Sequence, residues 1–370
     1  MTDFKVPLLL CLIPLLFVFQ LNAKGMELHF MGDVNFTSVI KFMDTELGGL
    51  SGVFYNQDTK RLLVISDDRS KLSPARFYEF SLDLRRNHFS VTPENTIFLK
   101  RKKGKKFKKN TIDAEDIIIL PGGNLLISSE GNSKKKKFRP YLYEFTQGGE
   151  LLGQWDVPER FKHLKKSGIR ENNGFEALTI TGDGKYVFVG NEESLIQDGP
   201  VASFEKGSLT RILLFEKKSK MYKQTSEFAY PLDVIFNPTS LKKSKFATSG
   251  LVAMIALDDK TLITMERSFV RETRKNEIKL FLTKIDTNST NLIDSNSIDL
   301  ETIIPLEKKL LLNLDDVLPE MNPNYRLLDN IEGLCFGPVL SNGNSSLILV
   351  SDNNFNTFQR TLFMAFEFKK

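Results

Sequence analysis

The stretch GFEALTITGDGKYVFVGNEES, residues 174–194, decides the fold of this chain. It reads as a strand, a turn built on Gly182, Asp183 and Gly184, a strongly apolar second strand, and then the carboxylate of Glu192. Four further segments repeat this arrangement: LSGVFYNQDTKRLLVISDDRS (50–70), DAEDIIILPGGNLLISSEGN (113–132), GLVAMIALDDKTLITMERSF (250–269) and IEGLCFGPVLSNGNSSLILVSDNNF (331–355). Continuous apolar runs such as residues 186–189 are typical of strands buried on both faces. Recurrence of one strand–turn–strand unit indicates a repeat architecture.

The spacing of the units predicts a ring of blades. Each interval accommodates one four-stranded propeller blade, which takes about 40–50 residues, together with its loops. The last interval is long enough for one more blade, with strand candidates at residues 278–285 and 297–304. We therefore expect an all-β fold, a β-propeller of six blades, within a range of five to seven. Residues 26–36 read as a strand, and we expect it to complete the last blade beside residues 361–368, closing the ring and hiding the sheet edges.

Short helical patterns are confined to residues 159–166 and 307–317, where we expect loop helices. The first 23 residues have the pattern of a signal peptide, and residues 24–370 form one predicted domain. Residues 6–21 are almost wholly apolar, and Ala23 is the small residue expected before a cleavage site. Export to the periplasm, the extracellular space or the cell surface follows, with an uncleaved anchor or a lipid on Cys11 as alternatives. Cys335 is then the one remaining cysteine, and its apolar neighbours predict a buried side chain.

Basic residues are concentrated in a few connections. The chain has 51 Lys and Arg against 46 Asp and Glu. Basic runs occupy residues 100–109 (KRKKGKKFKK) and 134–137, and Lys162, Lys165 and Lys166 follow. They are either solvated loops or a rim that attracts an anionic small-molecule substrate or makes peripheral contact with an anionic surface. Nucleic acid is not expected, because aromatic residues are not interleaved with the basic ones as stacking platforms. The oligomeric state is left open.

Every unit ends on an acidic residue, and three units also begin on one. The tail acids are Asp67, Glu130, Glu192, Glu266 and Asp352. The head glutamates are Glu115, Glu176 and Glu332, while Ser51 and Val252 hold the corresponding places in the other two units. A strand, a turn and a returning strand bring a head and its tail together. We therefore expect these acids to converge at one end of the central channel.

Converging carboxylates repel one another and need protons, arginine or a cation beside them. The tail acids are the candidate metal ligands, and oxygen ligands at this density favour Ca²⁺ or Mg²⁺ over zinc. The head glutamates are the candidate catalytic residues, because they can position a water. The candidate substrate-binding residues are the arginines near the tails: Arg69, Arg139, Arg211 and Arg267. The alternative is that the acids cap strand ends and accept hydrogen bonds from backbone amides.

Other catalytic signatures are absent from the sequence. There is no G-x-S-x-G nucleophile elbow and no H-E-x-x-H zinc motif. The three histidines, His29, His88 and His163, lie in no recognisable motif, and no glycine-rich phosphate loop occurs. A serine–histidine hydrolase mechanism therefore has no support in this sequence.

At these motifs the chain resembles the phytase-like family, whose domain is described by an esterase-like activity of phytase. The matching pieces are GGLSGVFY with ISDDRS, DAEDIIILPGGNLLISSEGN, VPERF through NNGFEAL to NEES, ITMERSF, and NIEGLCFGPVLSNGNSSLILVSDNNF, which together span residues 48–368. The resemblance implies a secreted β-propeller similar to calcium-dependent propeller phytases, with phosphoester or carboxyester hydrolysis as its activity. It also implies Ca²⁺ as the cofactor, held by acidic residues. Two positions depart from the pattern. Asp116 stands where glycine usually follows the head glutamate, and Val252 replaces a head acid.

Two functional hypotheses follow. The first is metal-assisted hydrolysis of phosphate esters at an acidic central channel. The second is a non-catalytic propeller that binds a ligand or partner and holds calcium for structure, because one fold hosts many functions. A carboxylesterase is a third option, without a nucleophile motif to support it.

Overall fold

The computed structural model describes residues 25–36, 40–86, 88–131, 138–236, 241 and 244–370. The predicted signal peptide and the lysine run 134–137 lie outside the described residues. Within the described ranges, no helix is both long and apolar enough to cross a bilayer.

The described chain forms five four-stranded antiparallel sheets, each meandering outward from an inner strand. It begins with β1 (Glu27–Phe36) and a small hairpin of β2 (Ile40–Phe42) and β3 (Thr45–Leu47). Blade 1 consists of β4 (Leu50–Asn56), β5 (Arg61–Ser66), β6 (Arg76–Arg85) and β7 (His88–Phe98). A lysine-rich hairpin of β8 (Lys100–Arg101) and β9 (Lys105–Lys106) leads to blade 2, which consists of β10 (Ala114–Ile119), β11 (Leu125–Ser129), β12 (Tyr141–Phe145) and β13 (Leu151–Gln154).

The remaining blades repeat this order. Blade 3 consists of β14 (Phe175–Ile180), β15 (Tyr186–Asn191), β16 (Ser208–Lys218) and β17 (Met221–Leu232). Blade 4 consists of β18 (Ala247–Ala256), β19 (Thr261–Val270), β20 (Lys275–Lys284) and β21 (Glu307–Asn313). Blade 5 consists of β22 (Asn330–Phe336), β23 (Ser345–Asp352), β24 (Thr361–Lys369) and β1. Short 3-10 helices span Lys102–Gly104, Glu159–Phe161, Ile196–Asp198 and Leu314–Val317.

The inner strands surround a central channel. Strand β4 contacts β10, β10 contacts β14, β14 contacts β18, β18 contacts β22, and β22 contacts β4. Strand β1 is the outer strand of blade 5 and pairs with β24, from Glu27 opposite Lys369 to Phe36 opposite Thr361. Both ends of the described chain therefore lie in one blade.

Strand β15 illustrates why the apolar runs fold in this way. Its side chains alternate between two faces, and both faces are covered by neighbouring blades. Val187 and Val189 share an apolar cluster with Leu126 and Leu142 of blade 2. Phe188 faces the other way and belongs to a separate apolar cluster with Met254 of blade 4. A strand in this position needs apolar residues on both faces, and the sequence pattern shows them.

The prediction of six blades is wrong, because the structure has five. Residues 278–285 fall largely within β20, the third strand of blade 4. Residues 297–304 form no strand and belong to a long loop. Ala229 anchors that loop, since its carbonyl accepts a hydrogen bond from the Leu306 amide and its side chain packs with Leu292 and Ile298. The apolar residues of this segment are buried by packing on blade 3 and form no further sheet.

The helix expected over residues 307–317 is also wrong in its first half. This segment is strand β21 followed by the 3-10 turn Leu314–Val317. The pattern at 159–166 contains only the short 3-10 helix Glu159–Phe161.

Candidate active site

All five inner strands carry a β-bulge, which lies near the first residues of four of them and in the middle of the longer β18. The register shifts lie between Leu50 and Val53, Ala114 and Ile117, Phe175 and Ala177, Leu251 and Ala253, and Ile331 and Gly333. Each bulge contains the head position of its unit: Ser51, Glu115, Glu176, Val252 and Glu332. A bulge leaves its extra residue out of the ladder and re-aims the side chain. The head residues are therefore set apart from the alternating pattern at the same level of all five blades.

The pairing register also defines the tail positions. In each blade, the residue before the head pairs with one residue of the second strand. These partners, from blade 1 to blade 5, are Ser66, Ser129, Asn191, Glu266 and Ser351. The next residue of each second strand is the tail: Asp67, Glu130, Glu192, Arg267 and Asp352. In blade 4 the equivalent residue is thus Arg267, and the alignment on Glu266 is off by one.

A shift of one residue along a strand turns the side chain to the other face. The Glu266 carboxylate accordingly lies outside the channel, where Oε1 accepts a hydrogen bond from the Tyr230 hydroxyl at 2.7 Å and Oε2 accepts one from the Asp233 amide at 3.0 Å. Lys308 forms an ion pair with it. Glu266 is therefore not placed among the converging acids.

Eight carboxylates gather at the end of the channel where the tails lie, and we call them the acidic cluster. They are Asp67, Asp113, Glu115, Glu130, Glu176, Glu192, Glu332 and Asp352. Carboxylate oxygens of Asp67, Asp113 and Glu115 lie within 4.8 Å of one another, and so do those of Glu130, Glu176 and Glu192. Seven of the eight were singled out in the sequence, three as head glutamates and four as tail acids. 

The eighth, Asp113, was missed, although it opens the unit DAEDI two residues before a head glutamate.

Two arginines reach into the acidic cluster. Arg69 forms an ion pair with Asp113, and its guanidinium also lies 3.6 Å from Asp67 Oδ1 and 3.6 Å from Glu130 Oε2. Arg267 Nη2 lies 3.3 Å from Glu192 Oε1 and 3.2 Å from Glu332 Oε1, so it joins blades 3 and 5 across blade 4. Eight carboxylates thus face two guanidiniums.

The other two arginines proposed from the sequence lie elsewhere. Arg139 pairs with Glu159 at 2.6 Å and lies over the ring of Tyr141. Arg211 is fully buried in blade 3, where it donates hydrogen bonds to both oxygens of Asp198 and forms an ion pair with Glu227. Arg211 thereby ties the 3-10 helix Ile196–Asp198 to the sheet, and its donors are used inside the protein.

Burial and mutual repulsion change the acidity of the cluster. Burial, reinforced by neighbouring carboxylates, raises the pKa of Glu115 and Glu176 well above the ordinary range. Burial raises the pKa of Glu130 to about 8 and that of Glu192 to about 7, with Arg69 and Arg267 working in the opposite direction. The cluster therefore resists full ionisation unless further positive charge enters it.

The carboxylate of Asp116, which departs from the family pattern, is bound by backbone amides of two blades. Its Oδ1 accepts a hydrogen bond from the Ile117 amide at 2.8 Å, and its Oδ2 accepts one from the Leu178 amide of blade 3 at 2.8 Å. A Cβ atom on Gly52 would lie 2.1 Å from Asp116 Oδ1. Asp116 therefore links blades 2 and 3 by hydrogen bonds, and its side chain lies close to Gly52 of blade 1.

The opposite end of the channel is different in character. A cavity of about 690 Å³ opens there, lined by inner-strand residues such as Tyr55, Ile118, Leu178, Met254 and Cys335. None of the eight cluster carboxylates lines it. Cys335 is buried, as its apolar neighbours predicted.

Comparison with known proteins identifies the family of this propeller. The sequence profile of the phytase-like family, described as "Esterase-like activity of phytase", matches residues 45–355. The chain belongs to this family. The match covers all five inner strands and every member of the acidic cluster, so the cluster lies within the phytase-like domain.

Individual relatives are distant. An "Uncharacterized secreted protein" of Arthroderma benhamiae is 24% identical over 164 residues, which are 37% of this chain and 30% of that protein's length. The endo-arabinase of Bacteroides thetaiotaomicron has a TM-score of 0.46 at 12% identity, covering 90% of this chain and 96% of that one. The periplasmic gluconolactonase PpgL of Pseudomonas aeruginosa has a TM-score of 0.36 at 10% identity, covering 94% of this chain and 99% of that one. These structural likenesses carry no conclusion about function.

Proposed function

We propose that this phytase-like chain is an exported hydrolase of phosphate esters that works with Ca²⁺ at the acidic cluster. The observation that carries the proposal is that, among the described residues, eight buried or nearly buried carboxylates gather around two guanidiniums at one end of the channel. The name of the secreted relative and the apolar first 23 residues support export.

The residues fit a calcium ion. Hard carboxylate oxygens are the ligands that Ca²⁺ prefers, and neither cysteine nor histidine stands among the cluster. Asp113 Oδ2 is buried and has no hydrogen-bond partner among the described residues, which leaves a lone pair for a cation. When bound, the ion would polarise a phosphate group and lower the pKa of a water held beside it.

The two arginines suit the binding of an anionic substrate. Arg267 Nε is buried and has no acceptor among the described residues, while Nη2 is held by Glu192 and Glu332. This free N–H can donate to a phosphate oxygen with the strength of a charge-assisted hydrogen bond. Arg69 flanks the opposite side of the cluster and can hold a second oxygen.

The basic residues nearby support the same substrate class. The lysine-rich segment 100–109 leads directly to Asn110, whose amide donates to the carbonyl of Arg69. Positive charge along this approach would raise the local concentration of a phosphate ester near the channel.

A calcium-stabilised binding propeller remains the second candidate, and one observation favours it. Asp113, Glu130, Glu192 and Asp352 are each at most 2% exposed. Ligands this deeply buried suit an ion that holds the blades together, with a partner bound elsewhere.

The experiment is phosphate release from phytate and from aryl phosphates by the purified protein, in excess Ca²⁺ and in EDTA, from weakly acidic to weakly basic pH. Our proposal expects release in Ca²⁺ that EDTA abolishes. No release at any pH in excess Ca²⁺, with a calcium-dependent rise in melting temperature, would instead support the binding propeller.

A further inference from the structure

We propose that the acidic cluster contains two separate cation sites, each spanning a blade boundary, and that Glu115 and Glu176 are ligands in them rather than general bases. Site 1 consists of Asp67, Asp113 and Glu115, and site 2 of Glu130, Glu176 and Glu192. This inference rests on the cation of the proposed function but not on its hydrolytic step.

Site 1 joins blades 1 and 2. Its three residues each offer an oxygen, and these oxygens lie within 4.8 Å of one another. Two oxygens that each lie 2.3–2.6 Å from one Ca²⁺ can be no more than about 5 Å apart, so the spacing accommodates one ion. Asp67 Oδ1 and Asp113 Oδ2 are buried atoms without a hydrogen-bond partner among the described residues, and Asp113 is only 1% exposed. Arg69 pairs with Asp113 Oδ1 and lies 3.6 Å from Asp67 Oδ1, but one guanidinium does not neutralise three carboxylates. The buried Asp113 Oδ2, which has no hydrogen-bond partner among the described residues, therefore indicates a further positive partner.

Site 2 joins blades 2 and 3 with the same spacing. Its outer ligands are fixed by the protein. Glu130 Oε1 accepts a hydrogen bond from the Gly174 amide at 3.0 Å, and Glu192 Oε2 accepts one from Asn173 Nδ2 at 2.8 Å. Glu176, between them, is 8% exposed and receives no hydrogen bond from any described residue. Such anchoring orients ligands around an ion, and the unpartnered carboxylate supplies the remaining oxygen.

The other side of the ring does not need a third ion. In blade 4 the tail position is Arg267, and its guanidinium lies between Glu192 and Glu332. Two divalent ions would offset most of the excess negative charge left by the two arginines. The replacement of a tail acid by arginine in blade 4 thus explains why the two triads lie in blades 1 to 3.

This assignment leaves Glu332 as the head carboxylate in neither triad. Its side chain is 13% exposed, pairs with Arg267, and accepts a hydrogen bond from Asn330 Nδ2 at 3.0 Å. Of the three head glutamates, Glu332 is therefore the one left to exchange a proton with a bound water.

Equilibrium dialysis of the metal-free protein against radioactive calcium tests this inference. We expect two ions per wild-type chain, one in Glu115→Gln, one in Glu176→Gln, and none in the double variant. Glu159→Gln is the matched control, because that carboxylate is 73% exposed and outside the cluster, and it should still bind two ions.

The number of ions bound by the wild type does not depend on whether any variant folds. It therefore tests the two-site inference even if the substitutions unfold the protein. One ion in the wild type would overturn the inference in favour of a single shared site, and none would mean that protons neutralise the cluster. Two bound ions without phosphate release would leave this inference standing and refute the hydrolase. Phosphate release with one bound ion per chain would support the hydrolase and refute this inference.

Discussion

Replacing Arg267 with alanine removes the one positive charge that the fold itself places among the tail residues. Arg267 lies 3.3 Å from Glu192 and 3.2 Å from Glu332, and its side chain is only 11% exposed. Removing one partner of a buried ion pair costs about 3–5 kcal/mol, because the remaining charge stays buried without compensation. Protons can enter the cluster in place of the guanidinium, so we expect a loss near the lower end, about 3 kcal/mol.

Urea unfolding at neutral pH in EDTA measures this loss, with the fluorescence of the single tryptophan, Trp155, as the signal. Arg139→Ala is the matched control, since Arg139 pairs with a largely exposed glutamate. Pairs of that kind contribute about 0–1 kcal/mol. Arg267→Lys keeps the charge but loses the planar fork, and should fall between the two.

The stabilities of the two alanine variants can also be compared in Ca²⁺ and in EDTA. Without Arg267 the cluster is more negative, so the variant should recover part of its stability when Ca²⁺ replaces EDTA, and the control should show no additional recovery. Equal losses in Arg267→Ala and Arg139→Ala would refute the reasoning, because the cluster would then need no internal counter-charge.

Three further predictions concern the same region. In EDTA the free energy of unfolding should fall as pH rises from about 4.5 to 8. Burial raises the pKa of Glu130 from 4.5 to about 8 and that of Glu192 to about 7, so over this range the folded state holds protons that the unfolded chain releases. Urea titrations across this range measure the effect, and a free energy of unfolding that rises with pH would contradict it. Gly52→Ala should unfold the protein or lower its melting temperature sharply, because the added Cβ meets Asp116 at 2.1 Å; calorimetry against Gly153→Ala, where no atom lies within 4 Å, measures the difference. Glu266→Gln should keep the calcium count of the wild type, because that carboxylate is held by Tyr230 and Lys308 outside the channel; loss of an ion in dialysis would count against the register assigned to blade 4.

The convergence of acids could be predicted because it follows from repetition. Each unit places its head and tail at the same end of a strand pair, and a ring of such units brings those ends together. Seven of the eight cluster carboxylates were visible in this way, and Asp113 was missed because it precedes the head position of its unit.

The register of blade 4 could not be read from the sequence. Glu266 and Arg267 are neighbours in one continuous strand, β19, which runs on to Val270. In the other units the apolar strand ends at or near its acid, and that boundary marks the tail. Without it, only the pairing of Gly250 with Arg267 shows which side chain takes the tail position.

The number of blades was overestimated for a related reason. Apolar residues in the segment 297–304 suggested a strand, yet Ile298 is buried in a loop, in a small cluster with Leu292 and with Ala229 of blade 3. A loop and a strand can bury the same side chains, so hydrophobicity alone does not separate them. The role of a charged residue is equally hard to predict from sequence alone. Arg211 was expected to bind substrate, but it pairs with Asp198, which lies in a connection whose path the sequence pattern does not reveal.

Anomalous X-ray diffraction from crystals of this protein soaked in calcium tests the central claim most directly. We predict two peaks at the tail end of the channel, one bounded by Asp113 and Glu115 and the other by Glu176 and Glu192, each at calcium–oxygen distances of about 2.3–2.6 Å. A channel without anomalous density, or carboxylates spread over separate surfaces, would contradict the account.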